Sequence, residues 1–238
     1  MKKFVNKVSE YYDDEYSSHN FNAQRRFPNE ELSRFMGRNF FHLPIDKRSL
    51  INILEVGCGS GANLWMLARE GFNATGIDIS ENAIELCKKM VKSYGGKAKF
   101  YVGSMTNLPF ETSSMEAIVD VFSSNCLTNL EGINFLREVL RTLKINGKFF
   151  SYFPSSKSDA WVNADSADIL DKNTLKGIFR KESPFFGNYY PFRFLSPKQY
   201  QDILEEVGLS VTYLETTSRT YNKRKEYFEF TIVEATKV

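Results

Sequence analysis

The run Ile53-Leu54-Glu55-Val56-Gly57-Cys58-Gly59-Ser60-Gly61 decides the fold. A short, mostly apolar stretch breaks off at a turn with glycine at alternate positions. Such a stretch suits a strand buried on both faces of a parallel sheet. A strand that runs into glycines and then into a helix puts the turn at the carboxyl end of the sheet, where doubly wound folds bind ligands. Glycine accepts positive φ and lets a ligand approach the backbone.

The same alternation continues outward from that turn. Ala62–Glu70 reads as a helix that Gly71 stops. Ala74–Ile79 reads as a second strand, and Ser80 caps a helix carrying Ala83, Ile84, Cys87 and Val91 on one face. Lys99–Val102, Ala117–Val121 and Lys148–Tyr152 read as three more strands, with a helix over Asn134–Leu143 before the last. Repeated βα units predict a parallel sheet with right-handed crossovers. Ser196-Pro197 opens a further helix, with a cap followed by proline at the first helical position. Leu209–Thr216 and Glu226–Ala235 follow as β-like runs with no helix between them, so they should pair antiparallel. The fold class is therefore α/β: a doubly wound, mostly parallel seven-stranded sheet ending in an antiparallel hairpin.

Before the first strand, Lys2–Tyr12 suits a short helix, and Asn29 caps a second helix bearing Leu32, Phe35, Met36 and Phe40. The organisation expected is a helical lid over residues 1–48 and a ligand-binding domain over 49–238, with an irregular, aromatic-rich insert at 155–195.

Composition narrows the function. The chain has 238 residues, enough for one α/β domain with a real core. A formal net charge of +2 is too small for a nucleic-acid-binding face. There are 3 cysteines and no CxxC spacing, which argues against a disulfide framework or zinc site and for a reducing, cytoplasmic setting. The basic start Met1–Lys7 lacks the apolar run of a signal peptide, and no membrane-spanning stretch occurs. The partner expected is a small molecule, with no nucleic acid and no membrane, and a monomer or homodimer.

Two ligands fit the glycine turn. Gly57, Gly59 and Ala62 satisfy the dinucleotide pattern, which seats a pyrophosphate on the next helix. Glu55 argues the other way: a carboxylate repels a pyrophosphate but suits a ligand carrying an ammonium and a sulfonium. Asp78, closing the second strand, can accept from both ribose hydroxyls of an adenosine.

On these motifs the chain resembles the class I S-adenosylmethionine-dependent methyltransferases over roughly residues 50–236. The motifs are Ile53–Gly61, Gly76-Ile77-Asp78-Ile79-Ser80, Gly103–Phe110 and Leu136–Lys148. The resemblance implies S-adenosyl-L-methionine as cofactor and S-adenosyl-L-homocysteine as product. It implies that the backbone of Gly57, Cys58 and Gly59 faces the methionine end, with Glu55 near its amino group. Asp78 would hold the ribose, Ile79 would pack on the adenine, and Ser104 and Met105 would lie at the adenine edge. The family often has an acid where this chain has Ser104. Asp120 and Phe122, at the end of the fourth strand and just beyond it, would close over the methionine moiety.

The expected activity is methyl transfer to a hydroxyl or amine of a metabolite or sugar. The alternatives are an NAD-dependent oxidoreductase and a cofactor-binding protein that acts through partners. With 2 histidines, His19 is the candidate general base, in the segment this family folds over its cofactor, while His42 looks structural. The acceptor candidates are Tyr11 and Arg34 before the sheet and Tyr189 and Arg193 in the insert. No His/Asp cluster has metal-ligand spacing, so no metal is expected.

Overall fold

The structure is a computed structural model that describes residues 2–22 and 25–238, with side chains from Val8 onward apart from positions 23 and 24. The basic start thus lies outside the described side chains. Helices α1 (Lys2–His19), α2 (Glu30–Asn39) and α3 (Ile45–Arg48) precede the sheet. Helix α1 runs well past the expected end at Tyr12. Asn29 caps α2, accepting from the backbone N–H of Glu31 and Leu32.

The α/β alternation then begins with β1 (Asn52–Val56), α4 (Leu64–Arg69), β2 (Asn73–Asp78), α5 (Glu81–Ser93) and β3 (Ala98–Val102). It continues with β4 (Met115–Val121), α6 (Asn129–Thr142) and β5 (Leu143–Pro154). The insert carries α7 (Asp159–Val162) and a small sheet of β6 (Ile169–Asp171), β7 (Thr174–Leu175) and β8 (Phe192–Arg193). Helix α8 (Pro197–Val207) and the hairpin β9 (Leu209–Tyr221) and β10 (Glu226–Lys237) complete the chain.

The main sheet has seven strands in the order β3-β2-β1-β4-β5-β10-β9. β1 pairs in parallel with both β2 and β4. The chain therefore builds outward on one side of β1 and then crosses to the other, which makes the carboxyl ends of β1 and β4 the topological switch point. Ile53 joins the core on one face of the sheet, and Leu54 and Val56 join the core on the other, as two helical layers require. β10 lies between β5 and β9 and is antiparallel to both. The chain reaches the sheet edge first and folds back inward, as the short connection between the two runs predicts.

Besides α1, three parts of the chain differ from the expectation. Helix α6 starts at Asn129, five residues early, behind a Thr128–Glu131 capping box. Gly132 masks that start in the sequence. It is there because a Cβ would lie 1.3 Å from the Arg193 guanidinium. The insert, read as irregular, forms the three-stranded sheet. The hairpin strands extend beyond their apolar runs, because backbone pairing continues where side chains reach solvent.

Candidate active site

The turn after β1 is held between two carboxylates. Gly57 has φ 61°, and a Cβ there would lie 2.3 Å from the Ser123 side chain, so both conformation and space require glycine. Asp78, at the end of β2, accepts from the Gly59 N–H at 2.8 Å and from the Ser80 N–H at 3.0 Å. Burial raises its pKa against those backbone donors.

Glu55 is buried, and Asn63 Nδ2 donates to its Oε1 at 2.6 Å. Asn63 is itself oriented: its Oδ1 accepts from the Asn29 N–H at 2.9 Å and from Arg25 at 3.2 Å. Glu55 Oε2 has no partner among the described residues. Burial pushes this carboxyl up to about 8, opposed by the Asn63 hydrogen bond and by Arg25.

Beyond β4 the chain turns sharply. Phe122 adopts φ 59°, strained for a non-glycine residue. Its N–H donates to Tyr152 O at 3.0 Å, and Ser123 Oγ donates to Val56 O at 2.8 Å, so the turn is clamped to β5 and β1. The ring packs 4.9 Å from Phe185 and 5.5 Å from Phe230. Asp120 is the organiser of this turn. Its oxygens accept from the Ser123 N–H at 3.2 Å, the Ser124 N–H at 3.0 Å and Ser151 Oγ at 3.0 Å, and from the Ser124 hydroxyl.

Helix α1 covers the carboxyl edge of the sheet. Asp13 receives the Ser80 hydroxyl, and Tyr16 is buried, its pKa raised by burial and by Asp78. Between α1, the turns after β1, β3 and β4, and the insert lies a cavity of about 490 Å³. That volume is in the range of small-molecule sites. Of the residues expected at a site, Glu55, Gly57, Cys58, Asp78, Ile79, Ser104, Met105, Phe122 and Tyr11 line it.

Others do not line the cavity. Gly59 backs the turn and gives its N–H to Asp78. Asp120 faces inward with both oxygens engaged, so it shapes the loop and does not line the cavity. His19 is exposed at the end of α1, 3.5 Å from Glu15, where it is an ordinary helix-surface pair. Arg34 is exposed and pairs with Glu30 at 2.7 Å. Tyr189 is 65% exposed, and it is the neighbouring Tyr190 that turns inward. Arg193 is buried against Gly132 and the Phe153 ring, with a long contact of 3.4 Å to Ser124 O, where it ties the insert to the β4 turn.

Sequence reading also passed over residues that the fold brings in: Asn63, Tyr12, Cys126, Glu131 and Tyr190. Asn63 had a signal in the pattern, a polar residue at the very start of a helix whose next turn is mostly apolar. Tyr12 and Tyr190 had none, since nothing local separates an inward tyrosine from its outward neighbour.

The methyltransferase domain family matches residues 53–147, the stretch from β1 to the turn within β5. Residues 53–147 are thus a methyltransferase domain, on the fold of the class I S-adenosylmethionine-dependent methyltransferases. S-adenosylmethionine is the cofactor of this family, and the dinucleotide reading of the glycine turn falls with it. A phthiotriol/phenolphthiotriol dimycocerosates methyltransferase of Mycobacterium tuberculosis is 35% identical over 114 residues, 46% of this chain and 40% of that protein. A demethylmenaquinone methyltransferase of Tropheryma whipplei is 35% identical over 98 residues, 40% of this chain and 38% of that protein. The matched part thus spans about two fifths of these relatives' own length. A SAM-dependent methyltransferase structure from Methanosarcina mazei superposes with a TM-score of 0.66 at 22% identity, covering 79% of this chain and 92% of that one, a likeness of fold. No helix among the described residues is long and apolar enough to cross a membrane.

Proposed function

We propose that this chain transfers the methyl group of S-adenosylmethionine to a hydroxyl or amine of a small-molecule acceptor. The observation that carries the proposal is the bare, buried Oε2 of Glu55 beside the glycine turn, with Asp78 on the adjoining strand. Once ionised, this oxygen is a buried acceptor without a donor, which costs about 1–3 kcal/mol, and an ammonium supplies the missing donor and the compensating charge. A pyrophosphate supplies neither.

The other residues fit the same cofactor. Asp78 keeps lone pairs beyond those taken by the Gly59 and Ser80 amides, and these accept from ribose hydroxyls. Ile79 and Met105 offer apolar surface to the adenine, with Ser104 at its edge. Ser104 bonds its own neighbour, Thr106 Oγ1, at 2.8 Å, so the amino edge of the base is read by backbone, not by an acid. Gly57 and Cys58 give the methionine end close approach to backbone. Residues 1–48, through α1, act as the cover of a domain spanning 49–238, and the 155–195 insert forms the acceptor wall.

When bound, the cofactor supplies an already activated methyl on sulfur. The chain's part is to exclude water and align the acceptor, and positioning of that kind contributes up to about 7–11 kcal/mol. Calorimetry with S-adenosylhomocysteine and with NAD tests the reading. Binding of the first and not the second is expected, with methyl transfer into a metabolite extract from labelled cofactor. No heat with S-adenosylhomocysteine at high micromolar concentration overturns it.

A further inference from the structure

Three parts of the chain meet at one polar point in the cavity wall. Tyr12 of α1 and Tyr190 of the insert share a hydrogen bond of 2.8 Å between their hydroxyls. Cys126, in the turn after β4, places its sulfur 3.6 Å from the Tyr12 oxygen. All three line the cavity. Around them the surface is aromatic: Tyr11 packs edge-on to Tyr190 at 4.9 Å, and Phe122 and Phe185 pack at the same spacing.

Hydrogen-bond counting gives this point a character. Tyr190 takes a hydrogen bond from the Asn188 side chain and donates to Tyr12, whose own O–H meets only the Cys126 thiol, a weak acceptor, among the described residues. One strong O–H is therefore available to a ligand. Burial pushes the pKa of both phenols and of the Cys126 thiol upward, so they remain protonated. The point donates and does not abstract. The charged side chains facing the cavity are Glu15, Arg25, Glu55, Asp78 and Glu131. Glu55 and Asp78 belong to the cofactor, Arg25 to the Asn63 relay, and Glu131 to the Thr128 cap at 2.7 Å. Glu15 stands one turn along α1, paired with His19.

A donor-only site stabilises an oxygen that carries negative charge. It does not serve an aliphatic or sugar hydroxyl, which is about as weak an acid as water and needs a strong base. It serves an oxygen that ionises to solvent near the phenol range of about 10. We propose that the acceptor is a flat, uncharged aromatic molecule with a phenol-type hydroxyl, whose oxygen takes its hydrogen bond from the Tyr12–Tyr190 pair. This rests on the methyl-transfer reading and narrows it. The phenol proton leaves to solvent. A lone pair of the resulting oxygen forms the bond to the methyl carbon as the carbon–sulfur bond breaks, and that electron pair stays on sulfur. The products are an aryl methyl ether, S-adenosylhomocysteine and one proton.

The test uses 4-nitrophenol, whose anion absorbs visible light, titrated with pH in the full chain saturated with S-adenosylhomocysteine. The expected result is an apparent pKa for the bound probe lowered by about one unit or more, with the shift reduced in Tyr12→Phe and in Tyr190→Phe. Both variants keep the ring and should keep the melting temperature. With S-adenosylmethionine, 4-nitrophenol should be methylated at least about 100-fold faster than 4-nitrobenzyl alcohol, which has the same body and a weaker acid. An unshifted pKa, a shift unchanged in both variants, no probe binding, or equal methylation of the two probes overturns the proposal. So does loss of transfer in Glu15→Gln with wild-type transfer in both tyrosine variants, which makes Glu15 the base. Failure of S-adenosylhomocysteine to bind takes down the parent reading as well, whereas its binding without a probe shift overturns this inference alone.

Discussion

Cofactor affinity should rise with pH, because Glu55 must give up a proton to receive an ammonium. Burial holds its carboxyl at about 8 in the unliganded chain. At that value roughly nine in ten copies are protonated at pH 7 and roughly 99 in 100 at pH 6. An ammonium against Oε2 favours the ionised form and draws the pKa back down. Binding then releases roughly one proton per ligand at pH 7, and affinity climbs about ninefold from pH 6 to 7, some 1.3 kcal/mol, and about fivefold from pH 7 to 8. The climb stops near pH 8, where α-amino groups of about 7.7–8.0 begin to lose their own proton. The assay is calorimetric titration with S-adenosylhomocysteine at pH 6, 7 and 8, repeated in buffers of different ionisation heat so that the released proton is counted. Glu55→Gln should bind more weakly at pH 8 and show no slope. A flat affinity with buffer-independent heat would refute the reasoning, since it would mean that Glu55 is already ionised or does not meet the ligand.

Three substitutions probe the supports of that carboxylate and of the fold around it. Asn63→Ala removes the one donor to Glu55 Oε1 and should move the midpoint of the pH–affinity curve above its wild-type position, with about 1–3 kcal/mol lost from stability in denaturant melts. Gly57→Ala meets Ser123 at 2.3 Å with φ at 61° and should cost about 1–3 kcal/mol in the same melts and abolish S-adenosylhomocysteine binding. Gly132→Ala drives a methyl into the Arg193 guanidinium and should lower the melting temperature, with cofactor affinity nearly unchanged because neither residue lines the cavity.

The part of the cavity wall built from strand ends was legible in the sequence, and the part built from α1 and the insert was not. Glu55, Gly57 and Asp78 sit at fixed offsets from strand ends, and a doubly wound sheet brings strand ends together by topology alone. The strands and the hairpin were legible for the same reason: period and connection length are local properties. Asp120 shows the limit of that reasoning. Its position at the end of β4 is right for a ligand, but Ser123, Ser124 and Ser151 consume its oxygens, and no strand pattern announces that. Arg193 reads in the sequence as an acceptor contact, yet Gly132 on a distant helix leaves room for it to be buried. Tyr189 and Tyr190 exchange roles through one residue of register in a segment without regular period. His19 fails because α1 runs on as helix and carries it to the outer surface.

The central claim is that Glu55 and Asp78 flank one glycine-lined site for a cationic adenosyl amino acid. A crystal structure of the chain with S-adenosylhomocysteine tests it most directly. The ligand's ammonium should stand about 3 Å from Glu55 Oε2, with its ribose hydroxyls on Asp78. A ligand bound with neither carboxylate in contact, or a dinucleotide whose pyrophosphate rests on the Gly57–Gly59 turn, would contradict it.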